Sequence, residues 1–494
     1  MSSFLINPYV EFVTKFGFIG GFGLAGTNGV FPGACVVDSL GNFYIGGTRS
    51  NGNTAQGIFA FLTKIDKNNN VVWQYTSSSS PSGSYIIQQM VVDKNNNLYV
   101  IGIRGGITFI SAFSSSFNGT PLWQKTWNIP NSNLYNFNNQ WVRNSITVDS
   151  TGTYITAIAQ NESTGTLYIG RFNASTGASI VQYNFPTSVV VNNPAGIVTS
   201  QYSGTLDQMY VSFAGASGTL ISSISGTTSL TMDASYFGYY FNISANRTQP
   251  THIAVSPTTG QVITGGVYNN SSASTGTVGV YGFHLGYTTP SGKTLTLPYD
   301  RRYGNPATGK TLLPVASVIS PNPGTTDGGP YFIQVGTDLN NNCATIVVSS
   351  LGGTVYANFK ITGSDWYART VSVPYTPILT SVAVDTNFIY AAGYIETTTS
   401  LQSVNAFFVK IPLSLLALSS YQFNNTFSPA DAAFGTSSTS VTINEANNYS
   451  AQSIGLTYAA GGLSLTSTSQ TVATIADTWS TYSYSTQKIY TFVW

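Results

Sequence analysis

Charged residues are scarce in this chain of 494 residues, at 7% of the sequence. An average soluble protein carries roughly 25%, so Asn, Ser, Thr and Gly must supply the polar surface. Lys and Arg number 18 and Asp and Glu 17, a balance that creates no overall field to steer the chain toward a polyanion. Nucleic acid is therefore not a predicted partner. The composition is typical of all-β proteins of extracellular or particle surfaces, which have neutral polar turns.

Cysteine and long apolar runs are also in short supply. The two cysteines, Cys35 and Cys343, lie far apart in the sequence, and we predict buried reduced thiols in preference to a disulfide. Lys410 interrupts the most apolar stretch, 406–418, well short of the roughly 18 residues that a membrane helix needs. Residues 16–25 resemble a short signal core, and residues 33–35 resemble a lipoprotein cleavage site. Because Cys35 occupies an inward strand position of a repeat, we instead expect a soluble, unprocessed chain with no membrane insertion.

One sequence motif recurs along the chain: an apolar strand, an Asp, a short Asn/Gly turn, and a second strand that ends in Gly. Asp38, Asp93 and Asp149 mark three copies at intervals of 55 and 56 residues. This spacing lies near the repeat lengths that build radial β arrays. Each unit continues with two more apolar strands joined by Asn-rich or Asn-Gly turns, which are strong hairpin signals.

Later units are more diverged but legible. Ser256 stands in the place of the Asp in one unit, and Asp385 marks another. Two unmarked units near 195–250 and 310–377 bring the count to seven. The sequence thus predicts an all-β fold, a β-propeller of about seven four-stranded blades over 33–433. The alternative architecture is an array of β-sandwiches.

The repeat resembles a known family. The order apolar-Val-Asp, Gly-Asn, Tyr-Ile-Gly-Gly-Thr, Ala-Phe-Leu-Thr-Lys-Ile and then a Trp strand is similar to the bacterial β-propeller repeats called SBBP. The resemblance is closest at 33–76 and extends to 86–127 and 378–423. It implies the propeller fold and no particular activity, because propellers host enzymes, binders and scaffolds alike.

The two ends do not fit the repeat. Residues 1–32 form a predicted apolar, aromatic arm whose opening resembles structural proteins of tailed bacteriophages. Residues 434–494 form a predicted C-terminal β segment, rich in Ser and Thr, that finishes in the apolar stretch 488–494. The ends either complete a blade and lock the ring or donate strands to a neighbouring subunit. The sequence leaves both interpretations open.

Residues with catalytic or metal-binding potential are few. His252 and His284 are the only histidines, and each lies in an apolar strand context that favours a structural role. The runs 66–70 and 93–97 resemble the opening of a calcium loop, but they lack its mid-loop Gly and closing Glu, so turn formation is predicted instead. We therefore predict no catalytic residues, no metal site and no cofactor.

Two kinds of cluster are candidate contacts for a ligand or a second subunit. A dense charge cluster can bind an anionic sugar or a neighbouring chain, although a solvated insertion between blades is the simpler interpretation. Aromatic-rich loops offer flat faces to sugar rings, although blade packing explains them as well. These candidates are Asp300, Arg301, Arg302, Tyr239, Tyr240, Trp366 and Tyr367.

Neutral composition, the scarcity of catalytic groups and the arm-like start favour a non-enzymatic virion structural protein, a phage tail, fibre or head-surface component. Its predicted partners are other virion proteins, further copies of itself in a homo-oligomer, and a glycan of the host surface. One alternative is a carbohydrate-binding propeller that is secreted or held at a bacterial cell surface. Another is a polysaccharide-degrading enzyme, which needs two carboxylates roughly 5–10 Å apart.

Overall fold

The computed structural model describes most of the repeat region and parts of both ends. The described residues are 16–23, 29–50, 58–77, 85–130, 144–161, 163–185, 192–215, 218–239, 247–270, 279–288, 296–303, 312–323, 330–338, 343–351, 355–364, 376–396, 405–413, 425–426, 440–445, 451–452, 457–460, 466–481 and 486–493. Strands predominate throughout these ranges, which also contain a 3-10 turn at Ser203–Thr205. No helix in them has the length and apolarity needed to cross a membrane.

The described strands form seven antiparallel sheets, which we number as blades 1 to 7 along the chain. The first strand, β1 (Phe16–Gly23), belongs to blade 7. Each other blade begins with its innermost strand and grows outward by consecutive hairpins. Blades 1 to 3 comprise β2 (Gly29–Val37), β3 (Phe43–Ser50), β4 (Ile58–Ile65) and β5 (Val71–Ser77); β6 (Tyr85–Val92), β7 (Leu98–Arg104), β8 (Ile107–Phe113) and β9 (Trp123–Pro130); and β10 (Ser145–Val148), β11 (Tyr154–Gln160), β12 (Leu167–Asn173) and β13 (Ser179–Asn184).

Blades 4 to 7 follow the same plan. They comprise β14 (Asn192–Thr199), β15 (Met209–Gly215), β16 (Gly218–Ser225) and β17 (Thr231–Tyr239); β18 (Arg247–Val255), β19 (Val262–Asn270), β20 (Gly279–Thr288) and β21 (Thr296–Tyr303); β22 (Leu312–Pro323), β23 (Pro330–Asp338), β24 (Cys343–Ser350) and β25 (Val355–Ser364); and β26 (Thr376–Val384), β27 (Phe388–Glu396), β28 (Asn405–Pro412) and β1.

The innermost strands contact one another in a closed ring, in the order β2, β6, β10, β14, β18, β22, β26 and back to β2. Each sheet therefore packs face to face against its two neighbours around a common axis. This arrangement confirms the predicted β-propeller, and it is not the array of sandwiches considered as the alternative. The two diverged units predicted near 195–250 and 310–377 correspond to blades 4 and 6.

Steric crowding explains why the repeated motif ends in glycine. The innermost strand of a blade carries a β-bulge, for example between Ile87 and Gln89 of β6, and the glycine lies opposite it on the second strand. A Cβ atom on Gly102 would lie 1.8 Å from the carbonyl oxygen of Ile86, and one on Gly47 would lie 2.1 Å from that of Phe31. Only glycine allows the backbones to approach this closely.

Apolar side chains fill the spaces between blades. Tyr44 and Leu62 of blade 1 pack with Ile87 and Phe109 of blade 2 in one buried cluster. Cys35 belongs to the equivalent cluster between blades 7 and 1, where it is a buried free thiol, as predicted. The side chain of Cys343 is not among those that the structure describes.

The C-terminal segment runs back around the propeller and adds an outer strand to every blade. We call the described residues between 425 and 493 the strap. It visits the blades in reverse order, from blade 6 down to blade 1 and finally to blade 7. Its strands are β29 (Asn425–Thr426), β30 (Ser440–Glu445), β31 (Ala451–Gln452), β32 (Thr457–Ala460), β33 (Thr466–Ser467), β34 (Val472–Thr474), β35 (Trp479–Thr481) and β36 (Thr486–Val493).

The blades contain more strands than the predicted four, because the strap adds strands to them. The sheets contain five strands, or six in blade 6, where both β29 and β30 are added. In blade 7 the N-terminal strand β1 lies between β28 and β36 and pairs antiparallel with both. Strands from the N-terminal and C-terminal regions thus lie side by side in one sheet.

Candidate functional site

A cavity of about 260 Å³ lies on the axis of the ring. The innermost strands of all seven blades line it, and no charged side chain is among the lining residues. Its polar side chains come from Gln88, Gln89, Ser145, Thr251, His252, Ser317 and Ser381.

Polar side chains of the cavity wall join neighbouring blades to one another. The Ser381 hydroxyl accepts a hydrogen bond from the Cys35 amide at 2.9 Å, which connects blade 7 to blade 1. The Gln89 side-chain oxygen accepts one from the Ile146 amide at 2.8 Å, between blades 2 and 3. These bonds occupy acceptor atoms of the wall. The serine hydroxyl hydrogen and the glutamine side-chain NH2 group are further donors at the same places, so the cavity suits a neutral ligand rich in oxygen.

His252 lies in the cavity wall at the bulge of β18. It is buried, its Nδ1 is 3.0 Å from the Thr251 hydroxyl oxygen, and that hydroxyl donates a 2.7 Å bond to the carbonyl oxygen of Pro314. Because the Thr251 proton goes to Pro314, Nδ1 is placed to donate to the Thr251 oxygen. The surroundings fit the predicted structural role. The side chain of His284 is not among those described.

The aspartates of the repeated motif accept hydrogen bonds from amides of their own turns. The Asp93 carboxylate accepts hydrogen bonds from the amides of Asn95 and Asn97 at 2.8 Å and from the Tyr99 hydroxyl at 3.0 Å. The same pattern recurs at Asp38 with Tyr44. Burial, reinforced by the charge of the aspartate, raises the pKa of each of these tyrosines above its ordinary value. These bonds confirm the interpretation of the loops as turns.

The structure describes the side chains of seven carboxylates. Each of them accepts hydrogen bonds, either within its own turn or from another blade. Five accept hydrogen bonds from amides of their own turn. Asp207 accepts one from the Ser150 amide of the preceding blade, and Asp477 of the strap binds Arg104. The five turn residues are Asp38, Asp66, Asp93, Asp149 and Asp385.

Two buried lysines connect blades at the turns. Lys64, on the third strand of blade 1, donates to the carbonyl oxygen of Ser115 in blade 2 at 2.8 Å. Lys410, on the third strand of blade 7, donates to the carbonyl oxygen of Lys67 in blade 1 at 3.1 Å. Burial lowers the pKa of both lysines, while nearby aspartates oppose that effect. These cations therefore stabilise the ring and are not displayed for an anionic ligand.

Four of the predicted contact residues are described, and they lie on the fourth strands of their blades, which do not line the axial cavity. Asp300, Arg301 and Arg302 are in β21, the fourth strand of blade 5, where Arg302 pairs with Gln452 of the strap. Tyr239 ends β17 and pairs with Thr457 of the strap. Tyr240, Trp366 and Tyr367 lie outside the described residues.

The cavity wall was not predicted from the sequence, yet a signal for it exists. Gln89, Ser145 and Ser381 each stand four positions before the Asp of their turn, and His252 stands four positions before Ser256. A polar residue at a fixed offset within an otherwise apolar inner strand therefore indicates the axial wall.

No protein-family model matches the chain, and no curated protein sequence is significantly similar to it. Solved structures do show likeness. The polysaccharide lyase Uly1 is 10% identical with a TM-score of 0.43, covering 77% of this chain and 90% of its own.

Extracellular domains 1–2 of Drosophila Semaphorin 1b are 7% identical with a TM-score of 0.39, covering 80% of this chain and 87% of their own. A Trypanosoma rangeli sialidase is 10% identical with a TM-score of 0.35, covering 82% of this chain and 59% of its own. Likenesses at this level bear on no site or activity of this chain.

Proposed function

We propose that the chain is a non-enzymatic structural propeller of a virion, a tail, fibre or head-surface component that works by assembly. The observation that carries the proposal is the strap, which adds an outer strand to each of the seven blades. Open sheet edges template unwanted pairing between chains. The strap ends five of the sheets with outer strands of only two to four residues. Such short edges offer little to pair with, which suits a protein that is packed at high local concentration beside copies of itself.

The use of the described carboxylates supports a role without catalysis. Glycoside hydrolysis needs two carboxylates free to face a substrate, roughly 5–10 Å apart. The seven that are described accept hydrogen bonds in turns, between blades or in the strap. The neutral composition and the phage-like N-terminal opening point to a particle surface.

Quantitative mass spectrometry of density-gradient particles tests this function. Particles are purified from cultures of the source that encodes the chain, and its copy number is measured relative to the major capsid protein. A constant stoichiometric ratio across the particle peak is expected. Its absence from that peak, with the chain recovered only in the cleared medium, overturns the proposal.

A second candidate function is the binding of a neutral carbohydrate, and the axial cavity favours it. Its wall has hydrogen-bonding side chains and no charge, as a hydroxyl-rich, uncharged ligand requires. The test is a glycan array with three proteins: the unchanged chain, Ser317→Met, which narrows the cavity, and Ser163→Met on an exposed turn as control. Binding that is lost only in Ser317→Met supports this function. Binding unchanged in Ser317→Met, or no binding at all, rejects it.

A further inference from the structure

The strap crosses from blade 2 to blade 1 between residues 472 and 481. There β34 pairs with β9 of blade 2 and β35 pairs with β5 of blade 1. The buried Asp477 lies between these strands, and Trp479, also buried, begins β35. We call the surface that receives residues 472–481 the anchor groove.

Trp479 fills an aromatic pocket in the groove. Its ring is 5% exposed and meets those of Phe113, Phe117 and Tyr85 edge to face, with centroids 5.2, 6.2 and 6.0 Å away. Its indole N–H lies 3.3 Å from the Gln124 side-chain oxygen. A large aromatic side chain in a dry pocket is the typical anchor of a protein interface.

Asp477 adds charge recognition two residues earlier. Both of its carboxylate oxygens bind Arg104, at N–O distances of 2.5 and 2.6 Å. Its carbonyl oxygen accepts a 2.7 Å bond from the Gln124 side chain, and the Gln124 carbonyl accepts the Ile475 amide at 3.1 Å. Backbone pairing at a sheet edge gives affinity for any extended peptide, whereas such pockets give specificity.

The groove and the segment that fills it come from opposite ends of the sequence. Arg104 and Asp477 are 373 positions apart, so the groove and its occupant belong to separate stretches of the chain. A second copy carries the same segment, with the same Asp477 and Trp479, and can present it to the same groove. Exchange of an identical element between copies is a low-cost route to assembly.

We propose that the anchor groove is a peptide-docking site that takes residues 472–481 of a second copy in place of its own, so that copies are linked by exchange of the strap. This deepens the proposed assembly function by naming one partner and its docking segment. Asp and Trp two residues apart on an extended strand are the chemistry that the groove recognises.

Cysteine cross-linking of the full chain tests the exchange. Thr126 and Ala473 are directly paired between β9 and β34, at a separation that a disulfide can span. Three variants are made in a Cys343→Ala background: Thr126→Cys, Ala473→Cys and the double variant. The double variant reports pairing within a chain. Co-expression of the two single variants yields a covalent dimer only when the strap of one copy docks on the other.

We expect the co-expressed single variants to give at least tenfold more covalent dimer than a control pair, Ala473→Cys with Ser163→Cys on an exposed turn. Adding Asp477→Asn and Trp479→Ala to the Ala473→Cys chain should reduce the dimer at least fivefold. A double variant that cross-links within the chain, without dimer above control from the single variants, overturns the exchange. A double variant that does not cross-link overturns the docking site itself. Either failure leaves the virion role to be decided by particle copy number.

Discussion

Arg104 and Asp477 form a two-point ion pair between the second strand of blade 2 and the strap. Asp477 is almost completely buried, whereas the Arg104 side chain is 22% exposed. The hydrogen bonds to Asp477 raise the pKa of the Arg104 guanidinium. The pair therefore holds the strap to the ring through a charge-assisted contact whose planar geometry Lys cannot reproduce.

Replacing Asp477 by Asn should loosen the strap. The amide keeps the shape of the side chain but loses the ionic bonds to Arg104, and we expect a loss of about 2 kcal/mol in the free energy of unfolding. Urea denaturation followed by fluorescence measures the loss. Asp66→Asn is the control, because that half-buried turn residue can form the same turn as Asn. Equal midpoints for Asp477→Asn and the unchanged chain would contradict the role of the pair.

Replacing Gly47 by Ala should prevent stable folding. The added Cβ would lie 2.1 Å from the Phe31 carbonyl oxygen, and rigid backbone cannot move away, so a cost above about 4 kcal/mol is expected. At the neighbouring Gly46, the nearest contact is the flexible Met90 side chain, so Gly46→Ala should cost about 1–3 kcal/mol. Soluble yield and thermal midpoint distinguish the two. Similar stability of both variants would show that the bulge does not require glycine.

The tyrosines that bind the turn aspartates should make the protein sensitive to alkali. Burial and the aspartate charge raise the pKa of Tyr44, Tyr99 and Tyr390 in the folded chain, whereas the unfolded value is about 10. Their contribution is complete below that value and is lost progressively above it. The free energy of unfolding should therefore fall above pH 10, and less so in a triple Tyr→Phe variant. Identical pH dependence in both proteins would contradict this.

The Cys35 thiol should be inert in the folded protein. Burial raises its pKa to about 12, and the thiolate is the reactive form. At pH 8 we expect iodoacetamide to label the Cys35 peptide at least a hundredfold more slowly than in guanidinium, as measured by mass spectrometry. Because the folded pKa is the higher one, this group favours the folded state below pH 9 and less so above it. Equal labelling of native and unfolded chains would place Cys35 at the surface.

The propeller could be predicted because the backbone geometry of each blade requires particular residue types at fixed positions of the repeat. Asp93 must follow the inner strand to accept the turn amides, and Gly102 must oppose the bulge. The substitution of Ser256 for Asp was also correctly placed, since its amide makes the same turn bond, to the carbonyl oxygen of Gln261.

The strap could be predicted only as a β segment. Strands such as β33, β34 and β35 contain two or three residues, too few to show an alternation of apolar and polar side chains. Their partners lie hundreds of positions away, so nothing local in the sequence indicates which blade each one joins. Trp479 is an example. It is an aromatic anchor in the structure, but nothing in the sequence distinguishes it from the other tryptophans, of which the chain has 7 in all.

The strap should clamp the whole ring, because it adds a strand to every blade. Hydrogen–deuterium exchange of the intact chain tests it most directly, by comparing amides of β35 and β36 with those of the innermost strands β2 and β26. We expect β35 and β36 to be protected for hours, and we expect Trp479→Ala to remove protection from the strap before it removes protection from the inner strands. Exchange of β35 and β36 within seconds, while β2 and β26 stay protected, would contradict it.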